Sequence, residues 1–466
     1  MKIRELFNLG VPKGPAMQAA LRAAADAGHS GMNNKTVRQA IASVVANPQA
    51  YENDAVFGEL AEVLQSSAEA RAAYRERAES APWKQWGRDI EPGAVEQMRN
   101  ACRLPVTVQG ALMADAHQGY GLPIGGVMAT DNAVVPYAVG VDIACRMKMT
   151  VLDMPPDALV GRRDQLRKAL EGETRFGIGA AFKNRRRQHV VMDEDWSVSK
   201  ITAELKDKAW SQLGTSGSGN HFAEFGTLTL ERAALGLEAG VYLALLSHSG
   251  SRGAGATVAN HYSKLAMRLH PELPRELIHL AWLDLDSDAG QEYWRVMELM
   301  GRYAAANHAL IHQHVVGALG TEVLAGVENH HNFAWRETHN GRDVIVHRKG
   351  ATPAGEGAIG IIPGSMATSG YVVRGKGNKL SLDSAAHGAG RRMSRTAAKR
   401  QFTWSQAKRL LRDRGVVLIS GGLDEIPMAY KDIETVMAAQ RDLVEPIARF
   451  DPKLVKMAPA GERPED

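Results

Sequence analysis

The sequence predicts a mixed α/β protein (α+β in character) in which a helical N-terminal region, residues 1–92, precedes a larger domain, residues 93–466. In the first region, apolar residues recur at helical spacing among many alanines, and both features favour helices. In the second region, short apolar runs alternate with glycine-dense loops and with helical segments. That alternation is typical of sheets packed together with helices in one domain.

Three segments of the N-terminal region have the helical pattern, and we expect breaks at Gly28, Pro48 and Pro82. The segments are "GPAMQAALRAAADAG", "NKTVRQAIASVVANP" and "FGELAEVLQSSAEARAAYRERAES". Their residues do not indicate any particular chemistry. We therefore expect a separate helical unit or a long helical flank.

The larger domain combines predicted strands and helices. Helices are predicted over Ala158–Leu170 and Gln291–His314, and "DSDAG" before the second supplies capping residues. The basic run Lys183–His189 fits either a solvated surface loop or an RNA contact, and both remain open. Strands are predicted in "LPVTVQGALMA", "RMKMTVLDM", "VYLALLSHS", "DVIVHRKG" and "YVVRG".

Charge and cysteine content restrict the class of protein. The 56 Lys and Arg residues against 52 Asp and Glu residues give a net charge of +4, which permits an anionic partner without requiring one. Two cysteines, Cys102 and Cys145, exclude a disulfide framework and a zinc site of four thiolates. The sequence lacks an apolar run near the roughly 20 residues that a membrane span needs. We expect a cytoplasmic protein that does not enter a membrane.

Metal-type ligands lie in glycine-rich turns beside predicted strands. A single histidine is more often structural than functional, but the shared setting of these residues favours their convergence. A thiolate, a carboxylate and several imidazoles suit Mn²⁺, Zn²⁺, Co²⁺ or Fe²⁺, and composition leaves the metal open. Because five ligands exceed one tetrahedral zinc site, a two-metal site is reasonable. The polar residues in these glycine-rich turns are Asp142, Cys145, Asn220, His221, Glu224, His248, His330, His331 and His387.

Taken together, ten motifs resemble those of the RtcB family of RNA ligases, in the family's order, from about Leu112 to Asp432. "HRKGATPA" and "HGAGRRMSR" are the most specific to the family. The others are "MADAHQGYGLPIGGV", "VGVDIAC", "GTSGSGNHFAEF", "HSGSRG", "LDSDAGQEYW", "HHNFAW", "IPGSMATSGYVVRG" and "DEIPMAYKDI". The resemblance implies one RtcB-like catalytic domain with mixed sheets around a dinuclear metal site.

The resemblance also implies an activity. RtcB enzymes use GTP and Mn²⁺ to join RNA ending in a 2′,3′-cyclic phosphate or 3′-phosphate to RNA with a 5′-hydroxyl, in RNA repair or tRNA maturation. A histidine–GMP intermediate passes GMP to the RNA 3′-phosphate, and the 5′-hydroxyl then displaces GMP. The partner is therefore RNA with such ends, and an activating protein stays open as a second partner.

Motif by motif, the resemblance assigns roles to residues of this chain. His387 is the nucleophile, two Mn²⁺ ions are the metal cofactors, and Cys145 bridges them. The metal ligands are Asp142, Cys145, His221, His248 and His331. The nucleotide-binding residues are Asn220, Glu224, Ser365, His387, Gly388, Ala389, Gly390, Tyr430 and Lys456.

Elementary chemistry agrees with the role of His387. A neutral imidazole is a good nucleophile near pH 7, and the small residues of "HGAG" leave room for a phosphate beside it. Transfer of a nucleotidyl group needs neutralisation of phosphate charge. Arg391, Arg392 and Arg395 are candidates for that task, although a solvated helix face explains them equally well.

The sequence departs from the family pattern at a few positions. Arg146 replaces the usual glycine after the metal cysteine, and Gly370 replaces a guanine-contacting serine, with Ser369 beside it. These changes weaken the implied nucleotide preference but leave the ligands and nucleophile in place. Two alternatives to the ligase therefore remain. One is a guanylyltransferase that caps 3′-phosphate ends without ligating them, and the other is a non-catalytic RNA-binding paralogue.

Overall fold

A computed structural model describes residues 1–12, 15–73, 76–182 and 186–462, with side chains described outside 67–73. Part of the basic run, 183–185, lies outside the described residues. Among the residues described, we find no helix both long and apolar enough to cross a bilayer. The chain forms two compact units, which are Met1–Glu76 with Lys264–Ala281, and Arg77–Ser263 with Trp282–Asp466. The boundary after residue 92, as a statement about folding domains, stays a prediction.

The first unit is helical, and small side chains dominate its core. Asn33 caps α3, because its side chain accepts a hydrogen bond of 3.0 Å from Thr36 N. Its core includes seven buried residues of α2, namely Ala16, Met17, Ala19, Ala20, Ala23, Ala24 and Ala27. The helices of residues 1–76 are α1 (Ile3–Asn8), α2 (Pro15–His29), α3 (Asn34–Ala46) and α4 (Gly58–Ala73). The helix α2 continues through Gly28, where we expected a break, and the chain turns at Gly31 instead, whose φ is 87°.

Helices of the second unit surround two large sheets. Its helices are α5 (Pro92–Arg103), α6 (Pro136–Val139), α7 (Ala158–Gly161), α8 (Arg163–Glu173), α9 (Lys200–Gln212), α10 (Arg252–Leu269, whose last residues belong to the first unit), α11 (Asp288–Leu319), α12 (Arg395–Gln401), α13 (Trp404–Asp413) and α14 (Ile433–Ala439). Short 3₁₀ helices lie between several of these elements.

The strands of this unit include all five of the predicted runs. They are β1 (Trp83–Gln85), β2 (Thr107–His117), β3 (Ile124–Thr130), β4 (Ala133–Val134), β5 (Arg146–Leu152), β6 (Phe222–Leu230), β7 (Gly240–Ser249), β8 (Leu283–Asp284), β9 (Val323–His330), β10 (Asn332–His339), β11 (Arg342–Lys349), β12 (Ala351–Pro353), β13 (Ile359–Ile362), β14 (Gly370–Gly375), β15 (Ser384–Ala386), β16 (Val417–Ser420) and β17 (Val444–Met457). The predicted mixed α/β class is confirmed.

Two sheets organise the second unit. A five-stranded sheet has the order β1-β2-β3-β11-β10, and an eight-stranded sheet has the order β13-β14-β17-β6-β7-β5-β9, with β16 beside β17. Two-stranded pairs, β12-β15 and β4-β8, complete the strands. Because β9 and β10 follow each other but belong to different sheets, the turn between them lies where the two sheets meet.

Both faces of the eight-stranded sheet are buried, as continuous apolar strands require. On one face, Leu243 and Leu245 of β7 pack with side chains of α8 and α11. On the other face, Leu246 packs with Met147 and with residues of β13, β14 and β17. The strands therefore hold their ends in fixed positions.

The two predicted helices of this unit form with different bounds. The predicted helix over residues 158–170 divides into α7 and α8 at Arg162, whose φ of −123° and ψ of 24° are not helical. The second, α11, is longer than predicted at both ends. Ser287 of "DSDAG" caps it by accepting a hydrogen bond from Gly290 N, and Gly320, in the left-handed conformation, ends it.

Arg348 of β11 is a buried cation that joins three strands. Its guanidinium is 1% exposed and donates to both carboxylate oxygens of Glu337 on β10, at 2.5 and 3.0 Å. It also donates to Ser384 Oγ at 2.7 Å and to the carbonyl of Leu382. Burial raises the pKa of Glu337, but the hydrogen bond from His339 and the charge of Arg348 outweigh it and lower the pKa to about 2.

We predict that Arg348→Met lowers the free energy of unfolding by about 3 to 5 kcal/mol, because it leaves the Glu337 carboxylate without its cation. Chemical denaturation measures this change. Arg342→Met on the same strand is the control, since Arg342 and Asp131 are both more than half exposed and such pairs contribute at most about 1 kcal/mol.

The pH dependence provides a second check on this pair. The folded pKa of Glu337 is depressed below its ordinary 4.5, so its contribution is present above pH 4.5 and is lost as pH falls towards 2. The difference in stability between the wild type and Arg348→Met should therefore narrow over that window. Equal losses for the Arg348 and Arg342 variants would contradict the assignment.

Candidate active site and metal centre

A pocket of about 820 Å³ opens in the second unit where strands of both sheets end. It brings together every residue to which the resemblance assigned a metal-binding, nucleotide-binding or catalytic role, except Lys456, whereas the further candidate His330 does not line it. The predicted residues that line it are Asp142, Cys145, Asn220, His221, Glu224, His248, His331, Ser365, His387, Gly388, Ala389, Gly390 and Tyr430.

The predicted metal ligands come from neighbouring strand ends. Asp142 and Cys145 precede β5, His221 precedes β6, and His248 is the penultimate residue of β7. His331 forms the turn between β9 and β10. Because β6, β7, β5 and β9 are adjacent in the sheet, these five side chains reach one volume at the sheet's edge.

The ligand atoms form two trios that share Cys145. In one trio, Cys145 Sγ lies 3.1 Å from His248 Nε2, which in turn lies 3.2 Å from His331 Nε2. In the other, Cys145 Sγ lies 3.4 Å from His221 Nε2, which lies 3.1 Å from Asp142 Oδ2. Within each trio all ligand atoms are within 4.8 Å of one another, so either could hold a metal ion.

The protonation states of the imidazoles fit a metal. His248 Nδ1 lies 3.1 Å from the carbonyl of Asn220 and donates to it, so Nε2 presents its lone pair to the trio. Burial lowers the pKa of His248 to about 3, with the charge of His221 as the next cause. Burial also lowers the pKa of His331 well below its ordinary value. Neutral rings with converging lone pairs are the form that binds a cation.

Asp142 supplies the carboxylate of the second trio. Its Oδ1 accepts a hydrogen bond of 2.9 Å from Ser251 N, whereas its buried Oδ2, 3.1 Å from His221 Nε2, accepts no hydrogen bond from the residues that the structure describes. Burial raises the pKa of Asp142, but the contact with His221 outweighs it and holds the pKa below its ordinary value. A Cβ atom at Gly250 would lie 2.1 Å from Oδ2, so only glycine leaves room for the carboxylate.

The predicted nucleophile is oriented by a carboxylate that we did not single out from the sequence. His387 Nδ1 lies 2.7 Å from Asp115 Oδ2, which also accepts from the backbone N–H groups of His387 and Gly388. Asp115 is fully buried on β2. Its position makes Nδ1 the protonated nitrogen and leaves the Nε2 lone pair of His387 for attack. The rings of His387 and His331 are 4.9 Å apart, which joins the nucleophile to the metal trio.

The nucleotide-binding candidates that line the same pocket differ in burial and in their hydrogen-bond partners. Glu224 is 4% exposed, and burial raises its pKa well above the ordinary value. Ser365 Oγ is 2.9 Å from Thr368 Oγ1. Tyr430 donates its hydroxyl to the carboxylate of Glu425, and its pKa is raised well above normal, first by burial.

Two of the three candidate arginines line the pocket. Arg391 and Arg395 both donate to Glu425, each at 3.1 Å, which fixes their guanidinium groups at the pocket wall. Arg392 is exposed and does not line the pocket. Arg391 and Arg395 are therefore available to a ligand in the pocket. Arg392 is a solvated surface residue.

Lys456 lies outside the pocket. Its Nζ donates to the carbonyls of Leu170 and Thr174, each at 3.1 Å, on the other side of β17. Val455 and Met457, its neighbours on the strand, line the pocket instead. Side chains alternate along a strand, so the pocket takes 455 and 457 and excludes 456.

Ser369 does not take the place of the missing serine at Gly370. Its hydroxyl donates to Asp451 at 2.6 Å and accepts from Arg449, and it does not line the pocket. Gly370 does line the pocket, where it offers no side chain. The pocket wall at position 370 therefore lacks the hydroxyl group that the resemblance implied.

Lys349 is a pocket residue that we did not single out, whereas Asp115 does not line the pocket and acts through its contact with His387. Its Nζ donates to the carbonyl of Tyr120 at 2.6 Å, and burial lowers its pKa to about 7. Both residues lie inside quoted motifs, "MADAHQG" and "HRKG". A charged residue at the end of an apolar strand beside glycines was the available signal.

The comparisons with known proteins agree with this geometry. The family model described as tRNA-splicing ligase RtcB matches residues 97–457. The RNA-splicing ligase RtcB of Escherichia coli strain K12 is 34% identical over 399 residues, 79% of this chain and 95% of that protein. The tRNA-splicing ligase RtcB of Nanoarchaeum equitans is 34% identical over 437 residues, 77% of this chain and 90% of that protein. With a family match over most of its length and relatives at this identity, the chain belongs to the RtcB family.

Proposed function

We propose that this RNA ligase of the RtcB family uses GTP and Mn²⁺ to join RNA 2′,3′-cyclic phosphate or 3′-phosphate ends to 5′-hydroxyl ends. The observation that carries the proposal is the contact of His387, oriented by Asp115, with the metal-type trio at His331. Its setting is RNA repair or tRNA splicing. The location is the cytoplasm, where reducing conditions keep Cys145 a free thiol.

The metal part of the proposal rests on the donor set. The two trios would hold one ion each, with Cys145 as the ligand common to both. Thiolate, imidazole and carboxylate together suit Mn²⁺ and its neighbours, and the orphaned Asp142 Oδ2 fits a cation. Bound there, two ions would neutralise phosphate oxygens during displacement.

His387 carries the covalent step. Its Nε2 attacks the α-phosphorus of GTP, a P–N bond forms, and pyrophosphate leaves. GMP then passes to the RNA 3′-phosphate, which releases His387. The RNA 5′-hydroxyl attacks the activated phosphate and displaces GMP. Asp115 supports the first step, because a carboxylate on Nδ1–H stabilises the positive charge that develops on the ring.

The remaining pocket residues support binding. Arg391 and Arg395 provide positive charge for phosphates in the pocket, and Lys349 adds to it when protonated. The buried carboxyl of Glu224 is suited to the hydrogen-bond donors of a guanine edge. Lys456 is assigned no contact with the nucleotide in this proposal, because its Nζ is bonded to backbone carbonyls near α8.

Metal content tests the shared ligand. We predict two Mn²⁺ per chain for the wild type, and about one for His221→Ala or His331→Ala, since each removes a ligand from one trio. Cys145→Ala should lose most of both, because its sulfur belongs to both trios. Elemental analysis after gel filtration, or calorimetric titration with Mn²⁺, gives the stoichiometry.

The control for this series is His330→Ala. His330 is adjacent to His331, but its ring packs at 5.1 Å from Phe333 and 5.0 Å from Trp335. It should keep two ions. Full metal content in Cys145→Ala, or equal losses at positions 330 and 331, would refute the two-trio assignment.

The covalent step has its own test. Protein incubated with Mn²⁺ and α-labelled GTP should give a labelled band that is stable in base and labile in acid. His387→Ala should abolish the band while metal content stays near that of the wild type. Asp115→Asn should slow labelling by about 100-fold or more, because an amide can stabilise the wrong imidazole tautomer.

The same experiment separates the ligase from a capping enzyme. Labelled protein that passes GMP to a 3′-phosphate RNA and then joins it to a 5′-hydroxyl RNA fulfils the proposal. Accumulation of GMP-capped RNA without joining would identify the guanylyltransferase instead. Labelling that persists in His387→Ala would move the nucleophile to another residue.

A further inference from the structure

An exposed tyrosine stands at the mouth of the pocket. Tyr120, in the turn "HQGYGLP" between β2 and β3, is 67% exposed and lines the pocket. A ring that remains largely in water adds little to the stability of the fold, because hydrophobic stabilisation requires burial of apolar surface. At the entrance of a pocket it provides a flat apolar face for a ligand.

The backbone of this turn is firmly held although the ring is exposed. Hydrogen bonds from α5, from its N-cap residue Glu91 and from β11 fix the backbone of the turn. Preorganisation of this kind lowers the entropy cost of binding. The bonds are Gly119 N to Gln97 Oε1 at 3.0 Å, Gln97 Nε2 to Gly119 O at 2.6 Å, Gln118 N to Glu91 Oε2 at 3.0 Å, and Lys349 Nζ to Tyr120 O at 2.6 Å.

The last of these bonds connects the turn to the reacting centre. Lys349 precedes Gly350, where an added Cβ would lie 3.1 Å from His387 Cε1 and 3.1 Å from Gly125 N. The backbone at Gly350 is therefore in close contact both with His387 and with β3, the strand that follows the turn. Tyr120 is therefore a pocket residue whose backbone is bonded to Lys349, the neighbour of the glycine that lies against His387.

We propose that Tyr120 is a stacking platform for the base of an RNA end, and that it holds the terminal nucleotide while its phosphate or hydroxyl enters the pocket. The proposal rests on the proposed function and adds a subsite to it. Stacking on an aromatic ring accepts every base, because each base has a π-face, and this suits an enzyme that joins ends of varied sequence. The base could belong to the 3′-phosphate end or to the 5′-hydroxyl end.

Binding to matched oligonucleotides tests the platform. Fluorescence anisotropy would measure the affinity of the Mn²⁺-loaded protein, without GTP, for a 3′-phosphate RNA and for a 5′-hydroxyl RNA, each with an intact or an abasic terminal nucleotide. Tyr120→Leu should weaken binding of intact RNA by about 5- to 100-fold at the end that stacks. The same variant should bind the abasic RNA as the wild type does, because no base remains to stack.

Two further variants give the expected contrasts. Tyr120→Phe keeps the ring and should bind intact RNA as the wild type does, whereas leucine keeps apolar area without a π-face. Leu380→Ala changes a side chain that is 57% exposed and does not line the pocket, and should change neither affinity. The end at which the intact and abasic RNAs differ identifies the base that stacks.

The outcomes distinguish this inference from the proposed function. If the wild type forms no GMP adduct and joins no RNA, the proposed function fails. If the wild type joins RNA but Tyr120→Leu binds intact RNA normally, or loses intact and abasic RNA equally at both ends, the stacking platform is overturned. Labelling of Tyr120→Leu by GTP at the wild-type level verifies that its pocket is folded.

Discussion

The crowding of lone pairs around the Cys145 sulfur is the constraint on which the rest of the site depends. Its Sγ lies within 3.4 Å of two imidazole nitrogens, and one of these lies 3.2 Å from a third. Buried acceptors that face one another destabilise a fold unless a proton or a cation lies between them. The carbonyl of Asn220 fixes the proton of His248 on the far nitrogen, which favours the cation.

Such crowding requires a backbone that yields space at particular points. Ala144, the residue before Cys145, has a φ of 57°. This left-handed conformation costs an alanine about 1 to 2 kcal/mol. Gly390 has a φ of 73°, and a Cβ there would lie 2.1 Å from the carbonyl of Asp115. A strained residue therefore lies beside the metal ligands, and a close backbone approach lies beside the nucleophile. The buried strands of both sheets supply the stability that maintains them.

The strands and the convergence of the ligands could be predicted from the sequence, because apolar runs ending in glycine and a polar residue are local patterns. The direction of a side chain near the end of a long strand could not be predicted from the sequence. Lys456 differs from Val455 only by one position in β17, and the bulge in the pairing of β17 with β6 at Pro452 alters the local alternation. Asp115 escaped notice for a different reason. Its role depends on a hydrogen bond to His387, which is 272 positions later in the chain. A single sequence does not indicate that two residues so far apart are in contact.

Arg146 shows how a departure from the family pattern can leave the predicted metal ligands in place. The sequence placed a cation directly beside the metal ligands, where its charge would oppose cation binding. In the structure its guanidinium is buried and forms an ion pair with Glu328 on the adjacent strand β9. The same carboxylate lies 2.7 Å from Lys148 Nζ. The one carboxylate of Glu328 offsets one of the two positive charges that pair with it. Since β5 alternates its side chains, Arg146 also lies on the opposite side of the strand from Met147. The substitution thus adds an ion pair between β5 and β9 and leaves the donor set around Cys145 unchanged.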